Sequence, residues 1–253
     1  MAKMWNTETS WRLIDDTLQI KGGRGYETAD SLRRRGERPD PVERLLRDCR
    51  INLIFEGSSE IMRLFIARET VDTHLSVAGD LVDPKAPPRR KLAAVGRAAA
   101  FYATWYPRLY LGWGRWPRYS EFGPLATHLR FVNRMSRKLA RTVFHCMLRF
   151  GPKLEKRQAV LGRLVEIGAE LLAITAACAR AQALATQREG ADRERGPRAI
   201  ELADVFACQA RRRVRDKFSA VFDNDDLVTY ATAQRVLRGD HQWLETGIVG
   251  NMG

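Results

Sequence analysis

The chain has 253 residues and a mass of 28.8 kDa, with 45% hydrophobic and 29% charged residues. That supports one or two globular domains, while no apolar run reaches the ~20 residues of a membrane-spanning helix. Net charge is +13 with pI about 10.1, and it is concentrated: residues 1–76 carry 13 basic and 13 acidic groups, whereas 89–149 carry 13 basic groups and one acid, Glu121, the pattern of a binding surface rather than of a uniformly basic protein.

In chain order, residues 4–20 predict a helix, with Trp5, Trp11, Leu13, Leu18 and Ile20 near helical spacing. Gly22-Gly23-Arg24-Gly25 stops it. Residues 27–41 read as a polar loop with Arg33-Arg34-Arg35 and two prolines, residues 42–53 as a short helix, 56–60 as a turn and 61–75 as a further helix. Residues 77–90 hold three closely spaced prolines, Pro84, Pro87 and Pro88, and read as a linker. Helices are then expected over 91–111, 124–150, 153–187, 197–222 and 225–238. In the third, Val160, Leu164, Ile167, Leu171, Ile174 and Cys178 step by three and four and form one apolar stripe; 153–187 and 197–222 are expected to pair antiparallel. No strand-like alternation occurs, so the expected class is all-α. The expected division is a first unit at 1–76, a Pro-rich linker at 77–90 and a second helical unit at 91–253.

Residues 1–8 turn polar at once, which predicts no secretory signal. Cys49, Cys146, Cys178 and Cys208 are scattered without a CxxC pair, which argues against a disulfide framework or zinc ribbon and suits a cytoplasmic chain. His74, His128, His145 and His241 show no ligand spacing, so no metal site is expected. Arg211-Arg212-Arg213 lies within a predicted helix and reads as a solvated face.

Four segments occur in a telling order: Gln19-Ile20-Lys21-Gly22-Gly23-Arg24-Gly25-Tyr26, then Val42-Glu43-Arg44-Leu45-Leu46-Arg47-Asp48-Cys49-Arg50-Ile51, then Ile54-Phe55-Glu56-Gly57-Ser58-Ser59-Glu60-Ile61, then Ile66-Ala67-Arg68-Glu69. This set resembles the C-terminal end of the acyl-CoA dehydrogenase family. The region after residue 76 is most similar to the very-long-chain members, which carry an additional helical domain. The resemblance implies an FAD-dependent α,β-dehydrogenation of long-chain acyl-CoA to trans-2-enoyl-CoA. Glu56 would be the base that removes the α-proton, and a β-hydride would pass to the flavin. An α-proton beside a thioester is weakly acidic, so that base must be close and desolvated, as apolar Ile54 and Phe55 suggest, and the thioester must be polarised by fixed donors. In the family these are the backbone N–H of this glutamate and a flavin ribityl hydroxyl. Gly57 would let the backbone approach substrate. Gln19, Gly22 and Gly23 match positions that contact the adenosine diphosphate part of FAD, often from a neighbouring subunit; Ser58 and Glu60 match flavin-contacting positions. Arg47 and Asp48 match a structural pair. Also implied are an electron-transfer flavoprotein as acceptor and a homo-oligomer, or assembly with the family's remaining domains. The family's central β-domain and first bundle helices are not in this sequence, so the expectation is a carboxy-terminal piece from a split or truncated gene or a misplaced start.

The basic block contains nine aromatics between residues 101 and 122, interleaved with arginines. Trp and Tyr favour the headgroup level of a bilayer and arginine attracts anionic lipid, so Trp105, Arg108, Trp113, Arg115, Trp116 and Arg118 are candidates for peripheral contact with the inner face of a membrane. The alternatives are an aromatic helix packed into the core, a catalytically inactive interaction module, and stacking on single-stranded nucleic acid, the last without any recognisable nucleic-acid module to support it.

Overall fold

The structure, a computed structural model, describes residues 1–83, 85–112, 116–187 and 192–246. It is all-α, as expected, with no strand among the described residues. The helices are α1 (Ala2–Lys21), α2 (Gly23–Tyr26), α3 (Ala29–Arg34), α4 (Val42–Ile51), α5 (Ser59–Val82), α6 (Pro88–Leu111), α7 (Ala126–Phe150), α8 (Gln158–Thr186), α9 (Asp192–Ala220) and α10 (Asp226–Leu237).

Most predicted elements lie within a few residues of their expected places. Residues 27–41, read wholly as loop, contain α3: Thr28 caps it by accepting the Ser31 N–H, and Asp30 sits in its first turn. The helix expected to stop at residue 75 runs on to Val82, and α6 begins at Pro88, where the fixed φ of proline suits a first helical turn. Among the described residues, helix is therefore interrupted between Val82 and Pro88 and not over all of 77–90. Gly22, at φ 60°, ends α1. The closest packing in that glycine cluster is at Gly25, where a Cβ would lie 2.8 Å from the Leu18 carbonyl oxygen. Arg47 and Asp48, matched to a structural pair, do not bond each other. Adjacent helical residues point apart, and each pairs one turn back, Arg47 with Glu43 and Asp48 with Arg44.

The core is built on α8. All six residues of the predicted stripe are buried, Ile167, Ile174 and Cys178 completely. Facing them on α9 are Ala203, Ala207, Ala210, Val214 and Phe218, with Val221 just past its end, and the small members let the two helices approach closely. The pair is antiparallel, since Arg213 bonds Glu170 while Lys217, further along α9, bonds Glu166, earlier on α8. Leu129, Phe131, Val143 and Cys146 of α7 close the core, and Met4 of α1 and Ala67 of α5 belong to the same cluster. Ionic contacts reinforce this join. Arg63 of α5 donates to Glu8 of α1 and to Glu166 of α8, each at 3.0 Å, and Glu166 also accepts from Lys217 of α9. Arg211 and Arg213, expected on a solvated face, are engaged: Arg213 holds Glu170 through two bonds of 2.8 and 2.9 Å, and Arg211 meets His128.

Candidate active site at the turn between α4 and α5

Glu56 lies in the tight turn that joins α4 to α5. Backbone bonds from Phe55 N–H to the Ile51 carbonyl and from Ser59 N–H to the Leu53 carbonyl close it. Glu56 itself has φ 53°, followed by Gly57 at φ 86°. The left-handed region is costly for a side chain with a Cβ, about 1–2 kcal/mol, and such strain concentrates where function needs it. Glycine at 57 removes that cost for the second residue. Among the described residues the N–H groups of Glu56 and Gly57 donate to no acceptor.

The turn is held from outside. Lys3, on the first turn of α1, donates from Nζ to the Gly57 carbonyl at 2.8 Å and to the Phe55 carbonyl at 3.2 Å. Sequence reasoning missed Lys3, because nothing in the spacing of residues 3 and 56 links them. Ser58 caps α5 by accepting the Ile61 N–H. The Glu60 carboxyl lies below the usual carboxylate range because it accepts its own backbone N–H and the Ser58 hydroxyl. Ser59 Oγ is buried with no hydrogen-bond partner.

The expected desolvation of Glu56 is not supplied by this chain: the residue is exposed. Ile54, Phe55, Ile61 and Phe65 around the turn are also exposed, by 43 to 59%, an apolar rim open to a covering group. Gln19, Gly22 and Gly23 are exposed as well, but the structure does not bring them to the turn. Lys3 touches the turn from one end of α1, and Gln19 lies roughly 24 Å along the helix from it, at about 1.5 Å rise per residue.

The aromatic block is arranged differently from the expectation. Trp105, a membrane-surface candidate, packs inward instead. Its ring lies 5.0 Å from His74, 5.9 Å from Phe101 and 5.9 Å from Phe144, with Tyr102 in the same cluster. Burial in that cluster lowers the His74 pKa. Arginines of α7 are spent on the segment beyond: Arg141 donates to the Leu109 carbonyl and covers the Tyr110 ring, Arg130 donates to the Arg118 carbonyl, and Arg137 lies over the Trp116 ring. Arg108, Arg118 and Trp116 are exposed; Trp113 and Arg115 lie outside the described residues. Among the described residues no helix is long and apolar enough to cross a membrane.

His128, Asp204 and Cys208 bring ligand atoms within 4.8 Å of one another, a grouping their sequence positions conceal. Both His128 ring nitrogens are engaged, Nε2 with Asp204 at 2.7 Å and Nδ1 with Arg211 at 3.2 Å. With a permanent cation at one nitrogen, the group serves as a tie between α7 and α9. Burial pushes the Cys146 and Cys178 thiols up to about 11, which disfavours the reactive thiolate form.

The all-α architecture is that of an acyl-CoA dehydrogenase C-terminal domain, and residues 1–71 match the family model described as acyl-CoA dehydrogenase, C-terminal domain. A probable acyl-CoA dehydrogenase, FadE10, from Mycobacterium tuberculosis (strain ATCC 25618 / H37Rv) is 56% identical over 250 residues, which take in 98% of this chain and 38% of that protein. The human mitochondrial very long-chain specific acyl-CoA dehydrogenase is 27% identical over 236 residues, 87% of this chain and 31% of that protein. An acyl-CoA dehydrogenase from Bacillus anthracis, solved in complex with FAD, shares the fold at TM-score 0.60 and 18% identity, over 91% of this chain and 34% of that one. The chain thus spans less than two fifths of the length of these relatives.

Proposed function

We propose that this chain supplies the catalytic base, and part of the cofactor site, of an FAD-dependent dehydrogenase acting on long-chain acyl-CoA. The observation that carries the reading is Glu56, strained and exposed within the segment that matches the family. The residues suit the cofactor in kind: an orphaned Ser59 hydroxyl, the capped start of α5 at Ser58 and Glu60, and open space beside Gly22 and Gly23. FAD, when bound, supplies the acceptor for the β-hydride.

Glu56 would accept the α-proton of the acyl thioester, leaving trans-2-enoyl-CoA after loss of the β-hydride. The free N–H groups of Glu56 and Gly57 would donate to the thioester oxygen as negative charge develops there. The apolar rim of Ile54, Phe55, Ile61 and Phe65, once covered, would exclude water and raise the basicity of the carboxylate. The distance from the turn to Gln19, Gly22 and Gly23 favours two flavins served by one chain, one at each end of α1, and hence a homo-oligomer. An electron-transfer flavoprotein would reoxidise the flavin.

The test is a chimera in which this chain replaces the matching C-terminal part of the mycobacterial relative. Acyl-CoA should bleach its bound flavin, and Glu56→Gln should abolish bleaching while the flavin stays bound. Equal bleaching by both proteins would remove Glu56 from the role.

A second reading, peripheral contact with an anionic membrane surface, is favoured by one observation. Tyr110, Leu111 and Trp116 are each more than half exposed, next to exposed Arg108 and Arg118. Sedimentation with anionic vesicles should weaken with salt and on Trp116→Ala; no sedimentation at low salt would end this reading.

A further inference from the structure

We infer that Lys3 is a positioning residue for Glu56, an inference that rests on the reading of Glu56 as the base. Lys3 lies on α1, and its partners are on the turn between α4 and α5. Its ammonium bridges the carbonyls on either side of Glu56, those of Phe55 and Gly57. Among the described residues no backbone N–H bonds either oxygen. One ammonium shared by these two carbonyls fixes the Phe55–Glu56 peptide plane, which precedes Glu56, and the Gly57–Ser58 plane, one residue beyond it, so the Glu56–Gly57 unit between them, with its two left-handed φ angles, is clamped at both ends.

The anchor is itself fixed. Glu8, one and a half turns along α1, is bonded to Arg63 of α5, and Arg63 is bonded to Glu166 of α8. α1 therefore cannot slide past the start of α5 without breaking that ion chain. Lys3 thereby transmits to the turn the register set by the helices behind it.

The test is hydrogen exchange on the full chain, read by mass spectrometry for wild type, Lys3→Met and Lys3→Arg. Lys3→Met should speed exchange in peptides covering residues 53–59 at least fivefold and leave α8 peptides unchanged. Lys3→Arg, which keeps donors for both carbonyls, should stay within twofold of wild type. In the chimera Lys3→Met should lower kcat about tenfold with KM within twofold, and Lys3→Arg should restore most of it. Unchanged exchange at 53–59 in Lys3→Met would overturn the inference, as would full kcat in a chimera whose Glu56→Gln variant is dead. If Glu56→Gln retains turnover, the reading of Glu56 fails first, and the exchange result alone decides whether Lys3 holds the turn.

Discussion

The α4–α5 turn and the α8–α9 pair solve opposite problems. α8 and α9 bury a continuous apolar seam against each other and satisfy their charges internally through Arg213–Glu170 and Lys217–Glu166. The turn does neither. It keeps Glu56 strained, leaves N–H groups undonated and exposes four large apolar side chains around them. A helix pair that completes itself is a stability element, whereas a turn that leaves its chemistry open is organised for something beyond the chain. The contrast supports the proposal that function lies in the first region even though the second holds most of the core.

Substitutions can break that contrast. The largest effect expected is on turnover in the chimera: Glu56→Gln should cost 10²–10⁴-fold, the usual worth of a general base, with unfolding temperature unchanged. Ile167→Ala should do the reverse. It opens a cavity at a fully buried site and should cost about 2–5 kcal/mol in denaturant unfolding, while the turn keeps its exchange pattern. The ionic joins predict a pH dependence. Burial alone would raise the Glu166 carboxyl, but Lys217 and Arg63 outweigh it and hold the pKa below 4.5; Arg163 holds that of Asp226 below 3.8. A depressed carboxylate pKa means stability that is fully present above the unfolded value and lost as pH falls through the folded one. Unfolding free energy should therefore be flat with respect to these two groups near neutrality and fall below about pH 4.5, and Glu166→Gln should flatten part of that fall. The smallest effect is expected at the rim: Phe55→Ser should change stability by less than about 0.5 kcal/mol, because the ring is already 43% exposed. A large loss there would mean that the rim is structural.

The sequence made the second region legible where periodicity was strong. The stripe from Val160 to Cys178 is the core, and the glycine and proline after Phe150 mark a real break before α8. It was less informative where long-range contacts decide. α3 depends on a threonine cap too short to register as a period, and the inward turn of Trp105 depends on His74 and Phe144, far from it in the chain. At the candidate site, motif order pointed to Glu56 and its neighbours, but composition around the turn suggested a desolvated carboxylate and the structure exposes it. Apolar neighbours bury a group only when something packs on them. Lys3 could not be found from spacing, since its role is to bond two backbone carbonyls.

The measurement that bears most directly on the central claim is the flavin spectrum of the chimera mixed with a long-chain acyl-CoA, wild type against Glu56→Gln. The oxidised flavin band should be lost rapidly in the wild type and stay unchanged in the variant, both proteins carrying equal flavin. Bleaching at the same rate in both would contradict it.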